Sequence, residues 1–174
     1  LRRNLKRLYT KASFSNPEQP LLESDRLKIL IISSRSEGGG AEQYFRIMTK
    51  LKGSFKFYCA LPDSPPYYDK IVNENISIFK LPYRKFKIRT FLKLSKWVKA
   101  NGITIVHSHG GGAGVYSRLL KLFNTKLKIV HTFHGIHSRG INRKVIVELF
   151  LKKLTDKFIF VSETERQIAL RLGI

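Results

Sequence analysis

Cysteine is almost absent from this sequence, with Cys59 alone among 174 residues. A single thiol excludes a disulfide within the chain and a metal centre built from several cysteines. It is consistent with a reducing compartment such as the cytoplasm. Long apolar runs are also lacking, because the most apolar segments are strand-sized and interrupted by Lys, Arg or Gly. Since about 18 consecutive apolar residues mark a membrane-spanning helix, we expect that this chain does not cross a membrane.

Acidic residues are scarce as well: 12 Asp and Glu stand against 33 Lys and Arg, for a formal net charge of +21. Such an excess attracts polyanions, namely nucleic acid, an anionic lipid leaflet or phosphorylated substrates. A generally lysine-rich composition is the simpler alternative. Nucleic acid is the least favoured partner, because no RNA-binding signature is present and the aromatic residues mostly fall at core spacing.

The most informative stretch is an apolar run that leads through a glycine loop into a helix. The apolar residues of 27–32 predict a strand buried on both faces. A polar loop with Gly38, Gly39 and Gly40 follows, and the apolar spacing from Ala41 to Leu51 predicts a helix. Glycines let backbone N–H groups approach an anion, and a helix start adds its dipole, so this order suits a phosphate. A tight turn is the alternative, because the loop matches no established phosphate-binding motif.

Strand and helix patterns alternate along the rest of the sequence. Further strands are predicted over Phe55–Leu61, Ile76–Leu81, Ile103–Val106, Lys128–Thr132 and Phe158–Val161, and further helices over Arg84–Lys99, Ala113–Phe123, Val145–Leu154 and Glu163–Leu172. Short connections between alternating elements imply right-handed crossovers and a mostly parallel sheet covered on both faces. The sequence therefore predicts an α/β, Rossmann-like three-layer domain over residues 27–174, preceded by a basic extension and linker over residues 1–26.

Two segments are basic and amphipathic. Residues 1–13 combine five bases with leucines, and the predicted helix Arg84–Lys99 carries lysines and arginines with no acidic residue between them. A solvated outer surface explains both segments. The alternative is a surface that faces an anionic leaflet.

All five histidines follow the fourth and fifth predicted strands: His107, His109, His131, His134 and His137. In parallel sheets, ligands bind at the carboxyl ends of the strands. His109 and His134 are the best candidates for ligand contact, because each is followed by a glycine, Gly110 or Gly135, that leaves room beside the imidazole. We interpret the histidines at 107 and 131 as structural.

A metal site is a weaker interpretation of the same histidines. His107 with His109, and His134 with His137, have ligand-like spacing, but no carboxylate accompanies them in the usual zinc pattern. We therefore predict no metal site. Ser162 and Glu165 form a capping box at the start of the last predicted helix. Arg166, one turn into that helix, is a candidate to face the cleft.

Four stretches together resemble the amino-terminal domain of glycosyltransferase family 4, which has the GT-B fold. They are Lys28–Gln43, Ile103–Leu119, Lys128–His137 and Leu154–Arg166, and they occur in the family's order at the ends of strands one, four, five and six. The resemblance implies an enzyme of two Rossmann-like domains around a cleft. Such an enzyme transfers a sugar from a nucleotide-sugar with retention of configuration and requires neither a metal nor another cofactor.

The resemblance also implies roles for individual residues. The amino-terminal domain carries the acceptor site, while its first glycine loop approaches the donor's phosphates. Gly39 and Gly40 then form the donor-phosphate loop, and His134 is the catalytic residue beside the transferred sugar. His109, Gly110, Gly135 and Arg166 are expected to line the acceptor cleft.

The sequence ends at about the point where the family's second domain begins, so we expect an amino-terminal half that is inactive alone. The expected reaction belongs to surface polysaccharide or glycolipid synthesis, with a lipid-linked or saccharide acceptor. The expected location is the cytoplasm, peripheral on the inner leaflet of an anionic membrane. A non-catalytic domain that binds a sugar-nucleotide or a polyanion is the alternative.

Overall fold

The computed structural model describes residues 26–38, 40–135 and 143–174. The predicted basic segment and linker before Arg26 lie outside the described residues. Gly39 and His137 also lie outside them.

Six parallel strands form one sheet: β1 (Leu27–Ser33), β2 (Phe55–Leu61), β3 (Ser77–Lys80), β4 (Ile105–His109), β5 (Lys128–Phe133) and β6 (Lys157–Phe160). Their order across the sheet is β3-β2-β1-β4-β5-β6. This order places β1 and β4 side by side at the centre and reverses the direction of winding between them. The predicted Rossmann-like fold class is therefore confirmed.

The described residues form six α-helices: α1 (Gly40–Leu51), α2 (Tyr67–Asn73), α3 (Ile88–Ala100), α4 (Gly111–Phe123), α5 (Arg143–Leu151) and α6 (Glu163–Arg171). A 3₁₀ turn, Lys152–Leu154, follows α5. Within this described part of the chain, no helix is both long and apolar enough to cross a bilayer.

Alternating residues of the central strands supply two cores, one on each face of the sheet. Leu30 and Ile32 of β1 lie in a core with residues of α3 and α4, whereas Ile29 and Ile31 lie in a core with residues of α1 and α2. All four side chains are at most 1% exposed. Full burial of such a side chain contributes about 1.5–3 kcal/mol, so the unbroken apolar run of β1 is explained by its two covered faces.

The main differences from the sequence prediction are in helices α2 and α3, and β4 also continues to His109 instead of ending at Val106. Helix α2 was not among the predicted helices; it follows Pro65, and Pro66 occupies its N-cap position without a side-chain hydrogen bond. Helix α3 begins at Ile88 instead of Arg84. Lys87 has an extended backbone and Arg84 has a φ of 50°, and neither conformation continues a helix.

The carboxyl ends of β1, β4 and β5 lie side by side. Ser33 of β1 pairs with His109 of β4, and His109 pairs with Thr132 of β5. Gly110 follows β4 with a φ of 77° and caps the start of α4. Only glycine adopts this backbone conformation readily, so it turns the chain sharply from the strand into a helix that starts at this edge.

Candidate active site

A cleft of about 1620 Å³ opens at this edge of the sheet. Its walls carry glycines, two histidines, and charges of both signs: Gly38, Gly40, Gly110, Gly111, Gly112, Gly135, His109, His134, Arg35, Arg84, Arg143, Lys144, Glu37, Glu148 and Glu165. Backbone therefore approaches the cleft closely in several places, and charged groups border it.

His109 and His134 form a hydrogen-bonded pair in this cleft. The distance from His109 Nδ1 to His134 Nε2 is 3.1 Å, and the two rings stack with centroids 5.3 Å apart. His109 is buried, whereas His134 is exposed at the cleft surface. The buried ring thus orients the exposed one, which is the arrangement that a ligand-contacting histidine needs.

A third histidine supports this pair from below. Because β4 continues through residue 109, His107 and His109 lie on the same face of the sheet, with ring centroids 4.3 Å apart. His107 Nε2 lies 2.8 Å from Thr132 Oγ1. Burial lowers the pKa of His107 to about 4 and lowers the pKa of His109 well below its usual value. Both rings are therefore neutral near pH 7.

His134 also lies against the start of α1. A methyl group added to Gly40 would lie 2.9 Å from both Cε1 and Nε2 of His134. This is closer than real side-chain contacts, so the ring occupies space that only a glycine at position 40 leaves free. Burial lowers the pKa of His134, and the nearby carboxylate of Glu165 opposes that shift.

Glu165 ties the loop after β5 to α6. Its Oε1 accepts a hydrogen bond from the Gly135 N–H, and its Oε2 accepts one from the Val161 N–H at 3.3 Å. Ser162 Oγ accepts the Glu165 N–H at 3.1 Å, so Ser162 caps this helix as predicted, whereas the Glu165 carboxylate binds the N–H groups of Gly135 and Val161 instead of completing the predicted capping box. Glu165 consequently holds the residue next to His134 in place.

The segment after β3 covers the end of β1. Tyr83 Oη donates to Glu37 Oε1 at 2.6 Å, and the Arg84 N–H donates to the Ser34 carbonyl at 3.3 Å. These contacts bring Arg84 to the wall of the cleft, which also includes Arg35, and the Arg84 guanidinium lies over the Tyr83 ring, with 5.3 Å from its central carbon to the ring centroid. Sequence reasoning missed Arg84, because its neighbours in the cleft lie about 50 residues earlier in the chain.

Most of the predicted site residues line this one cleft. His134, His109, Gly40, Gly110 and Gly135 all border it. The position of Gly39 lies outside the described residues. The cleft wall does not include Arg166, whose guanidinium binds Glu163 at 2.9 Å on the exposed side of α6. The arginines that do reach the cleft come from other elements.

In the part of the chain that the structure describes, no three His, Cys, Asp or Glu side chains group closely enough to hold a metal ion. The anion-binding groups in this part are instead backbone and arginine. No side chain caps α4, whose N-cap Gly110 and first two residues, Gly111 and Gly112, lie in the cleft wall, and the first N–H groups of a helix have no partner within it. Together with Arg35 and Arg84, these N–H groups suit an anionic ligand such as a phosphate.

The fold is that of one Rossmann-like domain of GT-B structures. The structure is similar to that of Anabaena HepE in complex with UDP and glucose, with a TM-score of 0.69 and 16% identity, covering 85% of this chain and 41% of that one. The sequence model of Glycosyltransferase Family 4 matches residues 39–174, and the chain belongs to that family.

Two curated relatives come from Escherichia coli. The O-antigen biosynthesis glycosyltransferase WbnH is 27% identical over 150 residues, which cover 82% of this chain and 44% of the relative. The UDP-Gal:alpha-D-GlcNAc-diphosphoundecaprenol alpha-1,3-galactosyltransferase is 25% identical over 103 residues, which cover 56% of this chain and 25% of the relative. The chain thus spans less than half the length of either.

Proposed function

We propose that this domain is the acceptor-side half of a retaining glycosyltransferase that moves a sugar from a nucleotide-sugar to a saccharide on a lipid carrier. The observation that carries the proposal is the His109–His134 pair, packed against Gly40 at the carboxyl edge of a family 4 domain. A second Rossmann-like domain closes the cleft and binds most of the donor.

The proposed chemistry needs a site that stabilises a departing nucleoside diphosphate. Preorganised N–H donors and cations stabilise developing negative charge most strongly. The starts of α1 and α4 and the guanidinium groups of Arg35 and Arg84 border the cleft and fit this task. Because side chains and backbone supply this stabilisation, the proposed reaction requires no metal. His134 lies beside the transferred sugar and binds its hydroxyl groups.

The names of two relatives support the proposed acceptor. WbnH is named for O-antigen biosynthesis, and the second relative is named for a diphosphoundecaprenol acceptor. We assign the present domain to the same kind of reaction, in which a surface polysaccharide grows on a lipid diphosphate. The sugar is then added at the cytoplasmic leaflet.

One face of the domain suits that leaflet. Large apolar side chains are exposed on and around α3, namely Phe86, Ile88, Leu92 and Phe123, at 43%, 60%, 46% and 63%. Lysines and arginines surround them, and the sequence has no acidic residue between Glu74 and Glu148. Apolar side chains beside clustered bases bind anionic lipid surfaces. We call the face formed by these four apolar residues and the bases of α3 the basic face.

Transfer is the direct test of the reaction. For the assay, the chain is fused to the carboxyl-terminal domain of a GT-B enzyme, and sugar transfer from UDP-, GDP- and ADP-sugars into membrane lipid is measured with EDTA present. We expect transfer that survives EDTA and is strongly reduced, but still measurable, in His134→Ala, while Arg46→Ala on the exposed side of α1 retains it. If folded protein transfers no sugar from any donor, the domain is a non-catalytic binding domain instead.

Binding to lipid vesicles tests whether the basic face contacts an anionic leaflet. Each base near an anionic surface contributes about 1 kcal/mol, so Lys93→Gln with Lys96→Gln should weaken binding to phosphatidylglycerol vesicles about 30-fold. The matched control is Lys50→Gln with Lys70→Gln, on helices that cover the opposite face of the sheet. Equal binding to phosphatidylcholine and phosphatidylglycerol vesicles contradicts the proposed setting.

A further inference from the structure

We infer that Glu148 binds hydroxyl groups of the saccharide acceptor, and that Arg118 is the positioning residue that holds its carboxylate for this purpose. The inference rests on the proposed function. It assigns an acceptor contact to a pair of charges that the sequence alone did not single out.

Arg118 is a fully buried arginine on the inner side of α4. Its side chain has no exposed surface, and its Nε donates to Thr155 Oγ1 at 2.9 Å. The guanidinium lies over the Phe158 ring, with 5.7 Å from its central carbon to the ring centroid. Gly114 makes room for it, because a methyl group there would lie 3.3 Å from Nη1. The position of this cation is thus fixed on several sides.

Glu148 extends from α5 to meet that cation. Its Oε2 lies 2.6 Å from Arg118 Nη1, and its side chain is 10% exposed. The residue borders the cleft, and Oε1 lies toward Gly111 at the start of α4, 3.9 Å from where a methyl group on that glycine would sit. One carboxylate oxygen is therefore held inside the protein, while the other lies at the cleft wall.

Packing alone does not explain this pair. Removing two charges from water costs free energy that their attraction often fails to recover, and apolar side chains of similar volume commonly do as well. Arg118 Nη2 also has no hydrogen-bond partner in its buried position. The arrangement is explained if its purpose is to hold an ionised carboxylate at the cleft. Burial raises the pKa of Glu148, and the contact with Arg118 opposes that shift.

The chemistry of the carboxylate selects the ligand. An ionised carboxylate only accepts hydrogen bonds, so Glu148 fits the hydroxyl groups of a sugar. It repels a diphosphate, whereas Arg35 and Arg84 attract one. Glu148 therefore belongs to the acceptor, and the two arginines belong to the donor.

The test uses the two-domain enzyme and compares Glu148→Gln with Glu163→Gln. The control also breaks a Glu–Arg pair, but that pair is exposed on α6 and outside the cleft. Glu148→Gln weakens a hydrogen bond to a charged group, and we expect this loss to raise the acceptor KM about 10- to 100-fold. The donor KM, and donor hydrolysis without acceptor, should stay within about twofold of wild type.

A second variant guards against misfolding, since Glu148→Gln leaves a buried arginine unpaired. Replacing the pair by Arg118→Met with Glu148→Leu retains the packing and should give a folded enzyme with the same raised acceptor KM. Arg118→Lys should raise the acceptor KM less than the Met/Leu replacement does, since a cation remains beside Glu148. A normal acceptor KM in the folded Met/Leu variant overturns the inference, as does an equal loss of donor hydrolysis. A wild-type enzyme that transfers no sugar refutes the proposed function, and the inference fails with it.

Discussion

Adding one methyl group at position 40 tests the contact between α1 and His134. The alanine Cβ of Gly40→Ala would lie 2.9 Å from two atoms of the His134 ring. Carbon atoms prefer about 3.5–4.0 Å, so the ring must move by roughly 1 Å. That movement breaks the 3.1 Å hydrogen bond to His109, which is worth about 0.5–1.5 kcal/mol. Gly40 is the first residue of α1, where alanine recovers less than the about 1 kcal/mol of a helix interior, so the free energy of unfolding should fall by no more than about 1.5 kcal/mol.

Activity should respond much more strongly than stability. A misplacement of about 1 Å in an active site can cost about 10²-fold in rate, so we expect kcat of the two-domain enzyme to fall by about that factor. Gly53→Ala is the matched control, because Gly53 lies outside the cleft wall and a methyl group there has no neighbour within 4 Å. Thermal unfolding and steady-state transfer measure the two effects.

A double-mutant cycle separates this mechanism from direct obstruction of the donor. If Gly40 acts through the imidazole, Gly40→Ala should have no further effect on kcat in the His134→Ala background. The imidazole nitrogen resonances of His109 and His134 should also shift in Gly40→Ala. Unchanged resonances with unchanged kcat would refute the reasoning, and an additive loss in the double mutant would show that position 40 acts on the donor instead.

Three further results are expected. Lowering the pH below about 6.5 should destabilise the fold, because unfolding raises the pKa of His107 from about 4 to about 6.5 and the unfolded chain takes up more protons. His107 alone should lower the free energy of unfolding by about 3 kcal/mol when the pH reaches 4. A Tm that does not change between pH 7 and pH 5 would contradict this prediction. Gly114→Ala should cost about 1–3 kcal/mol in urea unfolding, since its methyl group would lie 2.7 Å from His131 Cε1, whereas Gly53→Ala has no neighbour within 4 Å. Equal losses of unfolding free energy in Gly114→Ala and Gly53→Ala would contradict the close packing of Gly114 against His131. Glu165→Ala should speed exchange of the residue 135 amide hydrogen about 10-fold or more, through loss of a charge-assisted hydrogen bond; unchanged protection would show that the loop is held otherwise.

The fold was predictable from the sequence because its signals are local. The strand β1 is an unbroken apolar run, which a strand needs when both faces are covered, and the spacing in α1 places Tyr44 and Met48 on the buried side. Helix α2 gave no such signal, since it has seven residues and follows two prolines. Short helices contain too few turns for the spacing of their apolar residues to be evident.

The candidate site was predictable only where it follows strand ends. The sequence predicted His109 and His134 as site residues because each lies at the end of a strand or directly after it, and a glycine follows each of them. Glu148 was missed, because it reads as one polar position on an amphipathic helix, and Glu165 was predicted only as part of a helix cap. Their roles depend on partners 30 residues away, Arg118 and Gly135, which only the three-dimensional structure identifies.

The strand order has a consequence for how the chain folds during synthesis. Of the six strands, the central strand β1 is synthesised before the others, whereas its partner β4 is synthesised much later. The Thr104 N–H, next to β4, donates to the Lys28 carbonyl of β1 across 76 sequence positions. Until β4 is made, the most apolar strand has an open edge, and open apolar edges pair with other chains. Aggregation is therefore favoured at the stage of synthesis before residue 109 has been made.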